Sequence, residues 1–150
     1  MRRALPAEYR VVVTRACGLL LAVLLMACPG APLQADDFLS PGIAPVDLQQ
    51  RLASDRAPLV VDLRAPLEYA IAHIPGAINV PVTELEARIG ELRNPNGVVI
   101  YCLNGSRTRQ AEPILYAHDI DNFSRLEGTL QAWLKQNLPY EKGGVQRTGW

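Results

Sequence analysis

Short apolar runs and helix-like periodicities take turns along the last two thirds of the chain. Leu59-Val60-Val61-Asp62-Leu63 is a nearly continuous apolar run with two adjacent valines, the pattern of a strand covered on both faces. Val98-Val99-Ile100-Tyr101 is stronger still, and it runs straight into Cys102. Ile78-Asn79-Val80, ended by Pro81, and Asn122-Phe123-Ser124-Arg125-Leu126 read as two further strands. Between these runs the period changes. After the punctuation of Pro41-Gly42 and Pro45, residues Val46, Leu48, Gln49 and Leu52 have the spacing of a short amphipathic helix. Pro66 to Ala72 fits one or two helical turns, with proline at the first position, where it is tolerated. From Thr83 to Leu92 the pattern predicts a full helix: Thr83 and Glu86 have capping-box spacing, and Leu85, Ile89 and Leu92 share a face.

A polar loop, Leu103 to Arg107, leads into a helix that runs to about Ala117, with Pro113 expected to kink or tighten its first turns. Gly128 to Gln136 reads as the last helix, with Leu130, Trp133 and Leu134 as its apolar face. Ile74-Pro75-Gly76-Ala77 and Asn94-Pro95-Asn96-Gly97 are turns. Strands that alternate with helices need crossover connections. The predicted fold is therefore α/β, an open parallel β-sheet with helices on both faces.

Charge changes the picture at the N-terminus. The 150 residues hold 15 basic and 15 acidic side chains, but Arg2, Arg3, Arg10 and Arg15 all precede an apolar stretch from Ala16 to Cys28, which is followed by Pro29, Gly30 and Pro32. This order predicts an export signal over residues 1–35, cleaved after Leu33-Gln34-Ala35, and a single domain over residues 36–150 with its core at 45–140. Arg15 interrupts the apolar run before it reaches the roughly 20 residues that a membrane span requires. An alternative is lipidation, since Leu25-Met26-Ala27-Cys28 resembles the box at which bacterial lipoproteins are cut and modified on cysteine; Pro29 directly after that cysteine counts against it. The expected location is periplasmic or secreted, or membrane-anchored if Cys28 carries lipid. Without residues 1–35 the chain has 11 basic and 14 acidic groups, a net charge of −3, so neither nucleic acid nor an anionic membrane is an expected partner.

Cleavage at Ala35 also leaves Cys102 as the one cysteine of three, which excludes an intramolecular disulfide and raises the question of what a lone thiol is for. Two histidines and one retained cysteine show no metal-ligand spacing, so neither a metal nor a cofactor is expected, and His118 reads as a surface residue. Cys102 falls at the end of a predicted central strand, where open parallel sheets collect their ligands. The loop Leu103-Asn104-Gly105-Ser106-Arg107 joins that strand to a helix N-terminus. It can curl so that successive N–H groups point inward and form an anion-binding nest, with Gly105 supplying the positive φ that a tight nest needs. Convergent amides and Arg107 would favour thiolate over thiol and make Cys102 a nucleophile. The alternative is a small apolar residue that merely ends a core strand.

Residues 59–140 resemble the rhodanese-like sulfurtransferase domain in its single-domain exported form. The resemblance rests on Val60-Val61-Asp62-Leu63-Arg64 with Glu68-Tyr69, His73-Ile74-Pro75-Gly76-Ala77-Ile78-Asn79-Val80-Pro81, Cys102-Leu103-Asn104-Gly105-Ser106-Arg107-Thr108, and Leu126-Glu127-Gly128 with Trp133 and Leu138-Pro139-Tyr140. It implies that Cys102 takes the outer sulfur of thiosulfate as a persulfide and passes it to cyanide or a thiol. Its partners would then be a small sulfur donor and a thiophilic acceptor. Leu103, Asn104, Gly105, Ser106 and Thr108 would form the substrate-binding loop. Arg107 would bind the dianionic donor or orient the loop by pairing with Asp62 or Glu68. Asp62 is open to two roles, general acid or base and hydrogen-bond anchor for loop amides. The second is preferred, because transfer from a low-pKa thiolate needs no strong base. Arg64 and Glu68 are supporting residues, Glu68 as an arginine partner. His73 is either the partner of a Cys-His pair or a ring that satisfies backbone carbonyls at a helix end, with the second preferred. Two departures from the family pattern are Ala72 and Thr129, each where glycine is usual.

Three other functions compete, the last of them a purely structural interaction domain, in which Cys102 would resist alkylation. A persulfide carrier or redox-sensing module would use the same activated thiolate without turning over small donors. A cysteine phosphatase needs a longer loop, with arginine six positions after the cysteine; Arg107 lies five positions on, and residue 108 is threonine.

Overall fold

The computed structural model describes residues 40–143. The expected export signal, its cleavage site, Cys28 and the tail beyond Gly143 lie outside them. Five strands, β1 (Gly42–Ile43), β2 (Leu59–Asp62), β3 (Ile78–Asn79), β4 (Val98–Tyr101) and β5 (Phe123–Leu126), lie in the order β1-β5-β4-β2-β3, every neighbouring pair parallel. Three α-helices lie between strands, α1 (Pro45–Leu52), α2 (Pro66–Ile71) and α3 (Ser106–Ala117), and α4 (Thr129–Lys135) follows β5. The sheet is open, and its edge strands are only two residues long, which leaves little unpaired backbone.

Side-chain alternation in the central strands divides the core between the two faces. Val98, Ile100 and Cys102 point to one side with Val61 and Leu63, and there they meet Leu85, Leu92 and, from α3, Ala111 and Leu115. Val99 and Tyr101 point to the other with Val60, where Leu48 of α1, Tyr69 of α2 and Leu130 and Trp133 of α4 cover them. Each of these fully buried aliphatic side chains contributes about 1.5–3 kcal/mol relative to exposure. Both faces are thus covered by helices, as the alternating pattern predicts.

Two local expectations fail. The segment Thr83–Leu92 is not an α-helix: it is a succession of turns that ends in a 3-10 helix, Ile89–Leu92. Its bonds run mainly over three residues, Glu84 N–H to Pro81 O and Glu91 N–H to Arg88 O among them. Gly90 weakens helix here. In addition, the Arg88 guanidinium reaches back to the Asn79 carbonyl at 2.9 Å while holding Glu91 at 2.7 Å, so the segment is tied to the sheet edge. Leu85 and Leu92 are nevertheless fully buried, because the apolar positions reach the core through turns as well as they would through a helix. The second miss is β1, which the sequence shows only as punctuation. Two residues carry no period, and Gly42–Ile43 becomes a strand through backbone pairing with Arg125 and Leu126. Helix α3, by contrast, continues through Pro113 as one element.

Candidate active site

Strands β2 and β4 pair in register from Leu59 with Val98 to Asp62 with Tyr101, so their carboxyl ends finish side by side. Cys102 directly follows β4 and is fully buried on the α3 side. The chain then turns back over the sulfur. Gly105 has φ +88, a conformation that costs glycine nothing and side-chain-bearing residues a good deal, and its N–H donates to Cys102 Sγ at 3.1 Å. From the first turn of α3 the Thr108 hydroxyl donates to the same sulfur at 3.5 Å. Burial is the largest influence on this thiol and pushes its pKa up. The Thr108 hydroxyl, then the amides of Thr108, Asn104 and Arg107, together outweigh it, and the pKa lies below the ordinary cysteine value. The positive end of the α3 dipole acts in the same direction.

The remaining loop side chains brace this cradle. Asn104 Oδ1 accepts the Ser106 N–H at 3.2 Å and the Ser106 hydroxyl at 2.8 Å, an Asx-type turn that fixes the start of α3. Leu103 is partly exposed. Arg107 pairs with Glu68 of α2 at 2.9 and 3.3 Å, and Glu68 Oε2 also accepts the Ala65 N–H. Of the two carboxylates expected as partners for Arg107, Glu68 is therefore the one it meets. Asp62 is taken by Arg64, whose guanidinium meets it at 2.6 Å and whose own N–H bonds it at 2.9 Å; the guanidinium also donates to the Ala72 carbonyl. Burial acts against the charge on Arg64, but the bond and charge of Asp62 outweigh it and raise its pKa. Tyr101 lies beneath this turn, accepting the Ile74 N–H at 3.2 Å; burial, then the Asp62 charge, push its pKa far above the tyrosine range. Asp62 thus bonds an amide of its own turn, and its carboxylate is engaged with the Arg64 guanidinium.

His73 stacks on Tyr69 with ring centroids 3.7 Å apart, and its Nδ1 lies 2.9 Å from the Tyr69 carbonyl. Its backbone pairs with Glu141, so the ring is held between α2 and the segment that follows α4. His118 Nε2 lies 3.7 Å from Glu86, on the surface. Among the described residues no three His, Cys, Asp or Glu side chains come together as a metal site, and no helix is long and apolar enough to cross a membrane. A groove of about 520 Å³ bounded by Leu52, Pro58, Leu59, Pro75 and Pro139 lies by the amino end of β2, away from the sulfur.

A polarised cysteine closing a central parallel strand, within a loop that leads into a helix, is the geometry of the resemblance noted above. The family model of the rhodanese-like domain matches residues 44–136. The chain belongs to the rhodanese-like domain family. This rhodanese-like domain is 37% identical over 92 residues to a protein of Allochromatium vinosum named sulfurtransferase, covering 61% of the chain and 86% of that relative. It is 32% identical over 90 residues to the thiosulfate:glutathione sulfurtransferase of Saccharomyces cerevisiae, covering 51% of the chain and 64% of the yeast protein. Its fold matches the crystal structure of a rhodanese-related protein from Thermoplasma volcanium with a TM-score of 0.58 at 26% identity, over 67% of this chain and 97% of the other.

Sequence reasoning about this rhodanese-like domain placed the last helix but missed what its first residues, Thr129 and Leu130, hold. The Leu130 N–H donates to the Cys102 carbonyl at 3.1 Å and the Thr129 hydroxyl to the Leu103 carbonyl at 2.5 Å, so α4 backs the nucleophile's loop. The available signal was threonine at a position where the family usually has glycine.

Proposed function

We propose that this domain is a thiosulfate-type sulfurtransferase that carries a sulfane sulfur as a persulfide on Cys102 and delivers it to cyanide or a thiol. The observation that carries this reading is the convergence of the Gly105 amide and the Thr108 hydroxyl on Cys102 Sγ at the carboxyl end of a buried strand. In the first step the Cys102 thiolate attacks the outer sulfur of thiosulfate. A new S–S bond forms, and sulfite departs with the electron pair of the bond that breaks. In the second step cyanide or a thiolate attacks the outer persulfide sulfur, and Cys102 leaves as thiolate. Both steps begin or end with negative charge at the loop, where preorganised amides stabilise it without rearranging. Arg107 fits the orienting role better than direct donor binding, because its guanidinium already holds Glu68.

The two relatives named as sulfurtransferases support sulfur transfer. The test is mass spectrometry of the protein after thiosulfate: one added sulfur on wild type and none on Cys102→Ser, together with steady-state thiocyanate formation when cyanide is supplied. A wild-type protein that gains no sulfur overturns the proposal. The complete burial of Cys102 favours one second reading, a persulfide carrier loaded by a partner. Single-turnover loading without steady-state thiocyanate formation would establish it. Phosphatase action fits poorly, with five residues from Cys102 to Arg107 and the arginine engaged by Glu68; aryl phosphate hydrolysis at rates comparable to thiosulfate turnover would reverse that judgement. We also propose export, with residues 1–35 removed; intact mass of the exported protein tests it, and a diacylglyceryl adduct on Cys28 would replace cleavage at Ala35.

A further inference from the structure

Thr129 has φ +63, in the left-handed region where a β-branched side chain crowds its own backbone. Gly128 before it has the same φ at no such cost. A residue stays in this conformation only when the surrounding contacts hold it there. The contacts of Thr129 are specific: its hydroxyl donates to the Leu103 carbonyl at 2.5 Å and accepts the Gln131 N–H at 3.4 Å. The next amide, of Leu130, donates to the Cys102 carbonyl at 3.1 Å. The first two carbonyls after β4 are therefore fastened to the start of α4.

A peptide unit is planar, with its C=O and N–H on opposite sides. Holding the Leu103 oxygen toward α4 turns the Asn104 N–H the other way; the next amide, of Gly105, donates to Cys102 Sγ at 3.1 Å, and the Asn104 amide acts with it to lower the thiol pKa. We propose that Thr129 is a positioning residue of the nucleophile loop: its hydroxyl orients the Leu103–Asn104 peptide so that the Asn104 amide faces Cys102 Sγ. Glycine would adopt the same φ without crowding, so the hydroxyl is what threonine adds here. The inference deepens the proposed function, resting on that reading only for the sulfur transfer that the loop would serve. Two charged pairs flank the loop: Arg107 with Glu68 from α2, where Glu68 also accepts the Ala65 N–H, and Arg64 with Asp62 beyond β2, where Arg64 also donates to the Ala72 carbonyl and the Tyr101 hydroxyl lies near. None of them bonds Thr129, so its substitution leaves them in place.

The test compares Thr129→Gly and Thr129→Ser with wild type by the pH dependence of Cys102 alkylation with iodoacetamide, next to thiosulfate turnover. Thr129→Gly folds, since glycine takes this φ freely, and its alkylation midpoint rises by about 0.5–1 pH unit, roughly three- to tenfold less thiolate at neutral pH. Thr129→Ser, which keeps the hydroxyl, restores the wild-type midpoint. A Thr129→Gly midpoint equal to wild type overturns the proposal, and so does a Thr129→Ser midpoint displaced as far as that of Thr129→Gly. Alkylation needs no sulfur donor. A wild-type protein inactive toward thiosulfate, but with a midpoint that responds to Thr129→Gly, would therefore overturn the proposed function and support the role of Thr129.

Discussion

Replacing Thr108 by valine takes one oxygen from the surroundings of Cys102 and changes little else. Both side chains are β-branched and similar in size, and Thr108 is buried in the first turn of α3, so the substitution opens no sizeable cavity. The hydroxyl stands 3.5 Å from Sγ and is the foremost influence that lowers the thiol pKa against burial. A hydrogen bond to a charged group contributes about 1.5–3 kcal/mol, and the diffuse charge of sulfur places this one at the lower end. At about 1.4 kcal/mol per pKa unit, the Cys102 pKa should rise by roughly one unit and the thiolate present at neutral pH fall nearly tenfold. The assay is the rate of alkylation by iodoacetamide as a function of pH, followed by intact mass. Well above the new midpoint, Thr108→Val should react at least as fast as wild type, because a less stabilised thiolate is the stronger nucleophile; this separates the electrostatic effect from misfolding. A profile that coincides with wild type would mean that the hydroxyl does not hold the sulfur, and the account of the polar cradle would fail with it.

Arg107→Ala should cost little stability, at most about 1 kcal/mol for a pair whose members are each about one-third exposed, yet lower thiosulfate turnover several-fold because the loop loses its tie to α2; an unchanged rate and thiosulfate dependence would remove both roles assigned to it. Asp62→Ala leaves the Arg64 guanidinium buried without its carboxylate and should cost about 3–5 kcal/mol in denaturant unfolding, whereas a loss under about 1 kcal/mol would show that the turn after β2 does not depend on this pair. Stability should also track the ionisation of Cys102, whose folded pKa lies below its unfolded value of about 8.5. The unfolded chain then binds the proton more readily, so this contribution is absent below the folded pKa, grows as pH rises through it and is complete above about pH 9. Wild type should accordingly gain on Cys102→Ser between those limits, and a pH-independent difference would contradict the direction of the shift.

The four strands predicted from β-branched and apolar runs are present, and the structure puts Cys102 on the same face as Val98 and Ile100. Such runs are legible because a strand buried on both faces has nowhere to place polar side chains. Thr83–Leu92 misled for a related reason: Leu85, Ile89 and Leu92 record which side chains reach the core, and turns that end in a 3-10 helix deliver two of them there completely and Ile89 in part. Periodicity reports burial, and only indirectly the hydrogen bonds that achieve it.

At the candidate site the division is sharper. A cysteine at the end of the strongest strand, a glycine three residues on and the start of a helix are local features, and local chemistry was enough to mark Cys102, Gly105 and the loop between them. Partner choice was not local. Arg107 had two carboxylates open to it, and the pairing of Asp62 with Arg64 and the position of α2 decided for Glu68. The grip of α4 on the loop depends on a backbone angle at Thr129 and on a carbonyl 26 positions earlier in the chain. What the sequence by itself determined was the order of buried strands and the position of the nucleophile, because both follow from side-chain chemistry over a few consecutive residues. Which groups face that sulfur, and what holds them there, was decided only when packing brought distant segments within hydrogen-bond range.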